Sequence, residues 1–255
     1  MIVAFTDFGF EGPYLGQMRS VLYQNAPGVP VIDLMVDAPA FDVRAAAYLL
    51  PCVIKPLAKV TVCLAIVDPG AGGTRKPIVL EANERWFIGP YNGLFELLVR
   101  QSEAVVRCWE ITYRPETVSV SFHGRDIFSP VAAMIANGDT TANLTWGRPI
   151  TYDKKERADW PNDWAHVIYI DRYGNCMTGL RWNQIDTSSR VKVGDIELTF
   201  AKTFSDCPIG NALCYQNSLG LMEFAINQGN AAEYLGLEQG SPVSVRMLSE
   251  KQGTL

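Results

Sequence analysis

Several features that mark common classes of protein are missing from this sequence. Only two of its 255 residues are histidines, and none of its six cysteines forms a C-x-x-C pair. The spacing of a structural zinc site is therefore absent. There is no long basic run, and 22 basic against 27 acidic residues give a net charge of −5. We therefore expect no nucleic-acid partner.

Signals for membrane insertion and secretion are also missing. The longest apolar run, residues 45–54, is bounded by Arg44 and Lys55 and is too short to span a membrane. The first residues reach an acid at Asp7 without a basic flank or a cleavage site, which argues against a signal peptide. The cysteines lie mostly in apolar runs, where a thiol acts as a small hydrophobe. We expect a soluble, cytoplasmic protein with no membrane partner.

The first half of the chain alternates strand-like and helix-like segments. Apolar runs predict the strands, and amphipathic spacing predicts the helices. This rhythm predicts a doubly wound α/β domain over residues 1–151. The predicted strands are 2–5, 29–36, 59–67, 77–82, 85–88 and 105–111, and the predicted helices are 13–23, 41–54, 92–100 and 127–136.

The pattern changes after Thr151. Residues 152–164 are polar and interrupted by proline, so we interpret them as a linker. Residues 165–255 carry short strand-like runs separated by turn residues, with little helical pattern. They predict a smaller, all-β barrel domain. The predicted strands there are 166–170, 190–193, 196–200 and 243–247.

Two acids follow directly after apolar strands. Asp7 comes after the first strand, and Asp68 after the strand that ends at Val67. Ligands of open α/β sheets bind at the carboxyl ends of strands, so both acids are candidate site residues, and His123 has a similar position. Each acid also fits a plain turn or cap. The glycines after Asp68 do not form a nucleoside triphosphate loop, because no Gly-Lys-Ser/Thr follows them.

Six segments, in this order, resemble the S-adenosyl-L-methionine (SAM) hydroxide adenosyltransferase family, whose relatives include fluorinases and chlorinases. The resemblance extends over nearly the whole chain and both predicted domains. The segments are Thr6-Asp7-Phe8-Gly9 with Tyr14-Leu15-Gly16-Gln17-Met18, Val67-Asp68-Pro69-Gly70 through Arg75, Asn92-Gly93-Leu94, Phe122-His123-Gly124-Arg125-Asp126-Ile127-Phe128, Asp171-Arg172-Tyr173-Gly174-Asn175, and Asn217-Ser218 to Asn227.

The resemblance implies hydrolysis of SAM to adenosine and methionine. It implies a catalytic set of Asp68, Arg75 and His123, with SAM as substrate and no cofactor. It also implies a homotrimer with the substrate between neighbouring subunits. Arg125 and Asp126 fit a supporting role, fixing the loop and starting the following helix.

The chemistry requires a nucleophile aligned behind the ribose 5′ carbon, because the positive sulfur already makes methionine a good leaving group. We expect Arg75 to stabilise charge on a water, His123 to hydrogen-bond it, and Asp68 to orient the set. Arginine stays protonated and cannot be the base. The sequence leaves open whether His123 or Asp68 takes the proton.

The resemblance also implies substrate contacts. Asp7 would accept hydrogen bonds from the ribose hydroxyls, and Phe41 would form a wall beside the sugar. Asp171 could pair with the methionine ammonium group. Tyr173 offers a ring for stacking, and Asn175 offers the donor and acceptor that the adenine edge requires.

Ser218 is expected to complete the adenine site, with Glu223 nearby. For the Asp171 segment, an ordinary β-turn remains an alternative. Two residues are replaced relative to the family pattern: Tyr91 stands in place of an aspartate, and Gly179 in place of an asparagine. In the loop over residues 70–74, Thr74 is also displaced by one position. These departures leave the shape of the pocket open.

Three other functions remain open at this stage. A metal-dependent hydrolase could use Asp7, Asp68, His123 and Asp126 as ligands. A non-catalytic SAM or adenosine binder would need no Asp68-Arg75-His123 set. A halogenase is disfavoured, because the fluorinase pattern has tyrosine at position 68 and serine at position 124, and this chain has Asp68 and Gly124.

Overall fold

The computed structural model describes residues 1–140, 144–153, 157–185 and 191–244. The chain divides into two compact units, Met1–Asp159 and Trp160–Leu255. No helix in the described part of the chain has the length and apolar character needed to cross a membrane.

The first unit is a seven-stranded mixed sheet with four α-helices. The sheet order is β2-β1-β3-β5-β4-β6-β7. The first four strands of that order are parallel, and β4, β6 and β7 pair antiparallel. The elements are β1 (Ile2–Thr6), α1 (Tyr14–Asn25), β2 (Val31–Met35), α2 (Val43–Ile54), β3 (Val62–Ile66), β4 (Pro77–Ala82), β5 (Arg85–Pro90), α3 (Glu96–Arg100), β6 (Arg107–Ile111), α4 (Ser129–Ala136) and β7 (Gly147–Ile150).

The predicted α/β class of this unit is confirmed. Every residue of β1 and β3 is buried, as the continuous apolar runs of these parallel strands require. The β4–β5 hairpin turns at Asn83 and Glu84, which both have positive φ, at 51° and 60°. A two-residue turn of this kind matches the twist of the strands that it joins.

Two helices differ most from their predicted limits, whereas α1 and α2 differ from theirs by no more than two residues at either end. The segment predicted as a helix over 92–100 is helical only at Glu96–Arg100. Asn92 instead donates to the Val67 carbonyl at 2.9 Å and accepts from the Leu94 amide at 3.2 Å, which holds a turn beside the end of β3. The helix predicted from residue 127 begins earlier, with a π-helical turn over Gly124–Phe128 that continues into α4.

The second unit is a six-stranded sheet curled into a half-barrel. Its order is β10-β11-β12-β13-β9-β8, antiparallel except where β11 meets β12. Val243 and Ser244 lie outside any strand, and the rest of the strand predicted over 243–247 falls outside the described residues. The elements are β8 (Trp164–Ile170), β9 (Cys176–Arg181), β10 (Val191–Val193), β11 (Ile196–Phe200), β12 (Ala212–Gln216), β13 (Leu221–Ile226) and a helix, α5 (Ala231–Leu235).

Each unit has its own hydrophobic core. In the first, α4 lies against β1, β3 and β5 and also packs on α1. Phe128 and Trp146 are fully buried there. In the second, Val167, Cys176 and Phe224 pack together across the sheet. Because each unit has its own core, the loops of each unit are held in place by the elements of that unit.

Candidate active site

A cleft of about 380 Å³ opens in the first unit where β1 and β3 end. Asp7 follows β1, and Asp68 follows β3, so the parallel sheet brings two acids to one edge. His123 reaches the same cleft from the loop before the π-helical turn. The residues that line it are Asp7, Phe8, Tyr14, Phe41, Ile66, Asp68, Pro69, Ala71, Ser121, Phe122, His123 and Gly124.

Arg75 joins Asp68 to His123. Its Nε lies 3.0 and 2.9 Å from the two Asp68 carboxylate oxygens, and its Nη2 also contacts Asp68 Oδ2. The same Nη2 lies 3.1 Å from His123 Nδ1. The Asp68 and Arg75 side chains are only 5% and 10% exposed, so the ion pair is shielded from water. The structure thus brings together all three residues of the predicted catalytic set.

The contact with Arg75 assigns the tautomer of His123. A guanidinium can only donate, so Nδ1 accepts the hydrogen bond and the neutral ring carries its proton on Nε2. Burial and then the charge of Arg75 lower the pKa of His123 below its ordinary value. The ring therefore offers a hydrogen-bond donor, Nε2–H, and is neutral at neutral pH.

Arg75 lies behind the cleft wall: it contacts Asp68 and His123 but does not itself line the cleft. Its guanidinium carbon lies 5.4 Å from the centre of the Phe128 ring. Its buried Nη1 has no hydrogen-bond partner among the described residues. The guanidinium is thus held by one carboxylate, one imidazole and one aromatic ring.

A second ion pair supports the loop that carries His123. Arg125 donates two hydrogen bonds to Asp126, at 2.6 and 2.9 Å, and one to Gln17 on α1 at 2.9 Å. Asp126 also accepts the Ser119 amide at 2.8 Å. These contacts tie the loop to both helices that flank it.

Gly124, beside His123, is closely packed by its neighbours. A Cβ there would meet Met18 Sδ and a Phe122 ring carbon at 3.2 Å and Ile66 Cδ1 at 3.3 Å. Such distances are tighter than ordinary packing contacts, so a larger residue would displace the wall of the cleft. Gly124 therefore matters for the shape of the cleft.

Asp7 and Phe41 also line the cleft. Asp7 accepts the Phe41 amide at 3.1 Å. Burial raises the pKa of the Asp7 carboxyl, the hydrogen bond from Phe41 opposes the rise, and nearby Asp68 adds to it. Phe41 is 79% exposed and has a φ of 60°, which is rare for a residue with a large side chain.

In the second unit, the Asp171 carboxylate organises its own turn. It accepts the amides of Tyr173 and Asn175 and the Asn175 side chain, each at 2.9 Å. At Gly174 φ is +83°, and a Cβ there would lie 2.0 Å from Asn230 Oδ1. Tyr173 and Asn175 line a cleft of about 580 Å³ beside this turn. The two residues expected to hold adenine therefore share one cavity, while Asp171 holds their backbone.

Glu223 is internal to the second unit, with 2% exposure. It accepts the Tyr215 hydroxyl and the Asn217 side-chain amide, the latter at 2.8 Å. Asn217 in turn accepts the amides of Leu219 and Leu221 at 3.0 Å, which shapes the loop that exposes Ser218. Burial raises the pKa of Glu223, and its two donors oppose the rise.

The two residues that are replaced relative to the family pattern have structural roles. The Tyr91 hydroxyl accepts the Asp153 amide at 2.9 Å, and its ring centre lies 5.0 Å from that of Tyr152. A Cβ at Gly179 would lie 2.7 Å from the Trp164 carbonyl oxygen on the neighbouring strand. Neither residue lines the cleft that holds His123.

The aromatic part of this cleft was not predicted from the sequence. Phe8, Tyr14 and Phe122 line it together, although Phe122 is distant in the chain from the other two. All three belong to segments that carry the family resemblance, and two of them adjoin the candidate residues Asp7 and His123. In the described part of the chain, no group of three or more His, Cys, Asp or Glu side chains could hold a metal ion.

Comparisons with known proteins identify the family of the chain. A family model described as the SAM hydroxide adenosyltransferase N-terminal domain matches residues 2–145, and the corresponding C-terminal domain model matches residues 165–244. A protein of Thermus thermophilus named (R)-S-adenosyl-L-methionine hydrolase is 36% identical over 249 residues, 93% of this chain and 96% of that protein. One from Salinispora tropica with the same name is 32% identical over 252 residues, 94% of this chain and 95% of that protein.

Two solved structures have the same fold. A conserved protein from Thermotoga maritima superposes with a TM-score of 0.85 at 29% identity, covering 94% of this chain and 98% of that one. A conserved hypothetical protein from Thermus thermophilus gives a TM-score of 0.76 at 32% identity, covering 96% and 99%.

Proposed function

Because the chain belongs to the SAM hydroxide adenosyltransferase family, we propose that it hydrolyses S-adenosyl-L-methionine to adenosine and L-methionine. The observation that carries the proposal is the Asp68–Arg75–His123 cluster at a cleft that also contains Asp7. The names of the relatives specify the R configuration at sulfur, and we propose the same epimer as the preferred substrate here.

The reaction that fits this cluster is in-line attack of water on the ribose 5′ carbon. A bond forms from the water oxygen to that carbon, the carbon–sulfur bond breaks, and its electron pair neutralises the sulfonium. The leaving group needs no proton, so the protein has only to position the water and remove its proton. Positioning alone contributes several kcal/mol by removing orientational freedom.

The hydrogen bond between Arg75 and His123 favours Asp68 as the group that takes the proton. His123 Nδ1 already accepts from Arg75, and Nε2 carries a hydrogen, so the neutral ring has no free lone pair. His123 instead donates to the water oxygen and stabilises its developing hydroxide character. A carboxylate has about four acceptor positions, so Asp68 retains capacity beyond its bonds to Arg75. Arg75 holds both groups in place and stabilises the negative charge from behind the cleft wall.

Substrate binding follows from the remaining residues. We assign Asp7 to the ribose hydroxyls and Phe41 to the wall beside the sugar. In the second unit we assign Tyr173 and Asn175 to adenine, whereas Asp171 serves their turn and could still meet the methionine ammonium group. Ser218 completes this second site, and Glu223 supports its loop through Asn217. SAM is the substrate, and the proposal requires no cofactor.

Hydroxide rather than halide is the nucleophile that this cleft suits. A carboxylate at position 68 would repel a dehydrated halide ion, and Gly124 lacks the hydroxyl donor that the fluorinase pattern places there. A non-catalytic binder would have no use for the Asp68–Arg75–His123 cluster. Hydrolysis is therefore the function that uses all three members of this cluster.

We further propose a homotrimer in which the two clefts of neighbouring chains share one substrate. Phe41 at the first cleft is 79% exposed, and Tyr173 at the second is 76% exposed. Exposed aromatic residues beside a binding site are typical of surfaces that a partner covers. None of the six cysteines, all of them in described parts of the chain, forms a disulfide, which fits a reducing compartment, and we propose the cytoplasm as the location.

Incubation with SAM in oxygen-18 water, followed by mass spectrometry, tests the proposal. We expect adenosine that carries one heavy oxygen, together with free methionine, in the presence of a chelator as in its absence. Use of the separate sulfur epimers shows which one is consumed faster. Unlabelled adenosine, methylthioadenosine or unchanged SAM would contradict the proposed reaction.

A further inference from the structure

Three aromatic rings form one continuous wall of the cleft, and the mechanism above does not use them. The ring centres of Phe8 and Tyr14 are 5.8 Å apart, those of Phe8 and Phe122 are 6.1 Å apart, and those of Tyr14 and Phe122 are 5.3 Å apart. The rings are tilted or edge-to-face, at 54° to 83°. All three line the cleft that holds Asp68 and His123. We call Phe8, Tyr14 and Phe122 the aromatic wall.

Packing explains only part of this arrangement. Phe8 and Phe122 are partly buried against the hydrophobic core of the first unit. Tyr14 is 51% exposed and lies in the first turn of α1, with its ring against the other two. A half-exposed ring that lines a cleft contributes little to the hydrophobic core. Contact with a bound ligand would explain its position better than packing does.

The charge at the cleft favours a cation. The face of an aromatic ring attracts cations, most strongly those that are weakly hydrated. Asp7 lines the same cleft. Arg125 lies over the Phe122 ring, 5.3 Å from its centre, but it is paired with Asp126 through two hydrogen bonds, so this pair adds no net charge.

We propose that the aromatic wall is the subsite for the sulfonium group of SAM and that it distinguishes this cation from a neutral thioether. The inference rests on the proposed function. Cleavage of the carbon–sulfur bond removes the positive charge, so the attraction is strongest for the substrate and weakest for methionine. The wall therefore stabilises bound substrate more than the transition state, and its loss raises KM without lowering kcat.

The test compares SAM with S-adenosyl-L-homocysteine, which lacks the methyl group and the charge. Tyr14→Leu removes the most exposed ring of the wall, and Tyr14→Phe keeps a ring there. Tyr23→Leu is the matched control, because Tyr23 lies on the same helix with the same 51% exposure but does not line the cleft. Calorimetry in a His123→Ala background gives the two affinities, and steady-state kinetics with His123 present give kcat and KM.

We expect Tyr14→Leu to weaken SAM binding by about 3- to 30-fold, the range of cation–π contacts, and to change binding of the neutral analogue by less than about twofold. Tyr14→Phe and Tyr23→Leu should keep the wild-type ratio of the two affinities. Equal losses for both ligands, an unchanged ratio, or a fall in kcat with constant KM would overturn the inference. Failure of the unaltered protein to consume SAM would instead refute the proposed function, which separates the two outcomes.

Discussion

Arg75 and His123 meet through one hydrogen bond, and its direction determines what each residue can do. Because Arg75 has no acceptor, the shared proton belongs to the guanidinium, and His123 presents Nε2–H. The burial of Arg75 and Asp68 strengthens both contacts, since little water competes for them. At the scale of single residues, this geometry supports the proposed roles, in which Arg75 and His123 stabilise charge and Asp68 accepts the proton.

Arg75→Ala should lower kcat by about 10²- to 10³-fold, the range seen when one charge-stabilising donor is removed. Nucleoside affinity should change little, because Arg75 does not line the cleft. Asp7→Ala should have the opposite profile and mainly weaken binding. Arg148→Ala, at an exposed ion pair with Glu110, is the control. Steady-state kinetics give kcat, and inhibition by adenosine gives the affinity for the nucleoside. If Asp7→Ala lowered kcat without weakening binding, the role assigned to Asp7 would be wrong.

The pH dependence follows from the lowered pKa of His123. Protonated His123 would direct an Nδ1–H at the Arg75 guanidinium, so the cluster needs the neutral ring. Because the pKa of His123 is lower in the folded than in the unfolded protein, folding favours the neutral ring. This preference contributes fully to the free energy of unfolding above the unfolded pKa of about 6.5, and the contribution is lost as pH falls through the folded pKa. We expect kcat/KM to fall over the same acidic range. In His123→Asn, the acidic fall in kcat/KM should be absent. If the fall persisted in this variant, it would come from the titration of another group.

Among the elements, α2 shows most directly how a local signal places a site residue. Asp42 is its N-cap and accepts the Ala45 amide at 2.9 Å. The residue before it, Phe41, has the positive φ noted above, and its amide reaches Asp7. The capped start of α2 therefore helps to position Phe41 beside Asp7 at the cleft.

Asp42→Ala should lower the free energy of unfolding by about 1 kcal/mol, the usual cost of losing an N-cap. Asp42→Asn, which keeps a capping oxygen, should lose much less. Urea unfolding followed by circular dichroism measures both. Equal stabilities for the two variants would show that the capping bond contributes nothing.

At the scale of the whole molecule, the proposed reaction draws on residues of both units. The proposed catalytic cluster belongs to the first unit, and the cavity with Tyr173 and Asn175 belongs to the second. A trimer in which neighbouring chains supply the two halves would make the isolated chain inactive.

Sedimentation equilibrium should therefore give about three times the chain mass of 28.2 kDa. An obligate assembly should also lose specific activity on dilution below its dissociation range, because each site then loses one of its halves. A single-chain mass with full activity would contradict the shared site.

The sequence by itself determined the features that depend on near neighbours. Apolar runs determined β1 and β3, and their ends placed Asp7 and Asp68 at one edge of the sheet. The strands β9, β12 and β13 were not predicted, because residues such as Gly179 and Cys214 gain their place only from cross-strand packing.

Only the tertiary structure decided which nitrogen of His123 faces Arg75, a residue 48 positions away in the chain. It also decided that Glu223 is buried beneath its loop and that three separate rings form one wall. The physical reason is one of scale. Strand and turn preferences act over a few residues, whereas the direction of a hydrogen bond depends on tenths of an ångström that packing across the whole domain fixes.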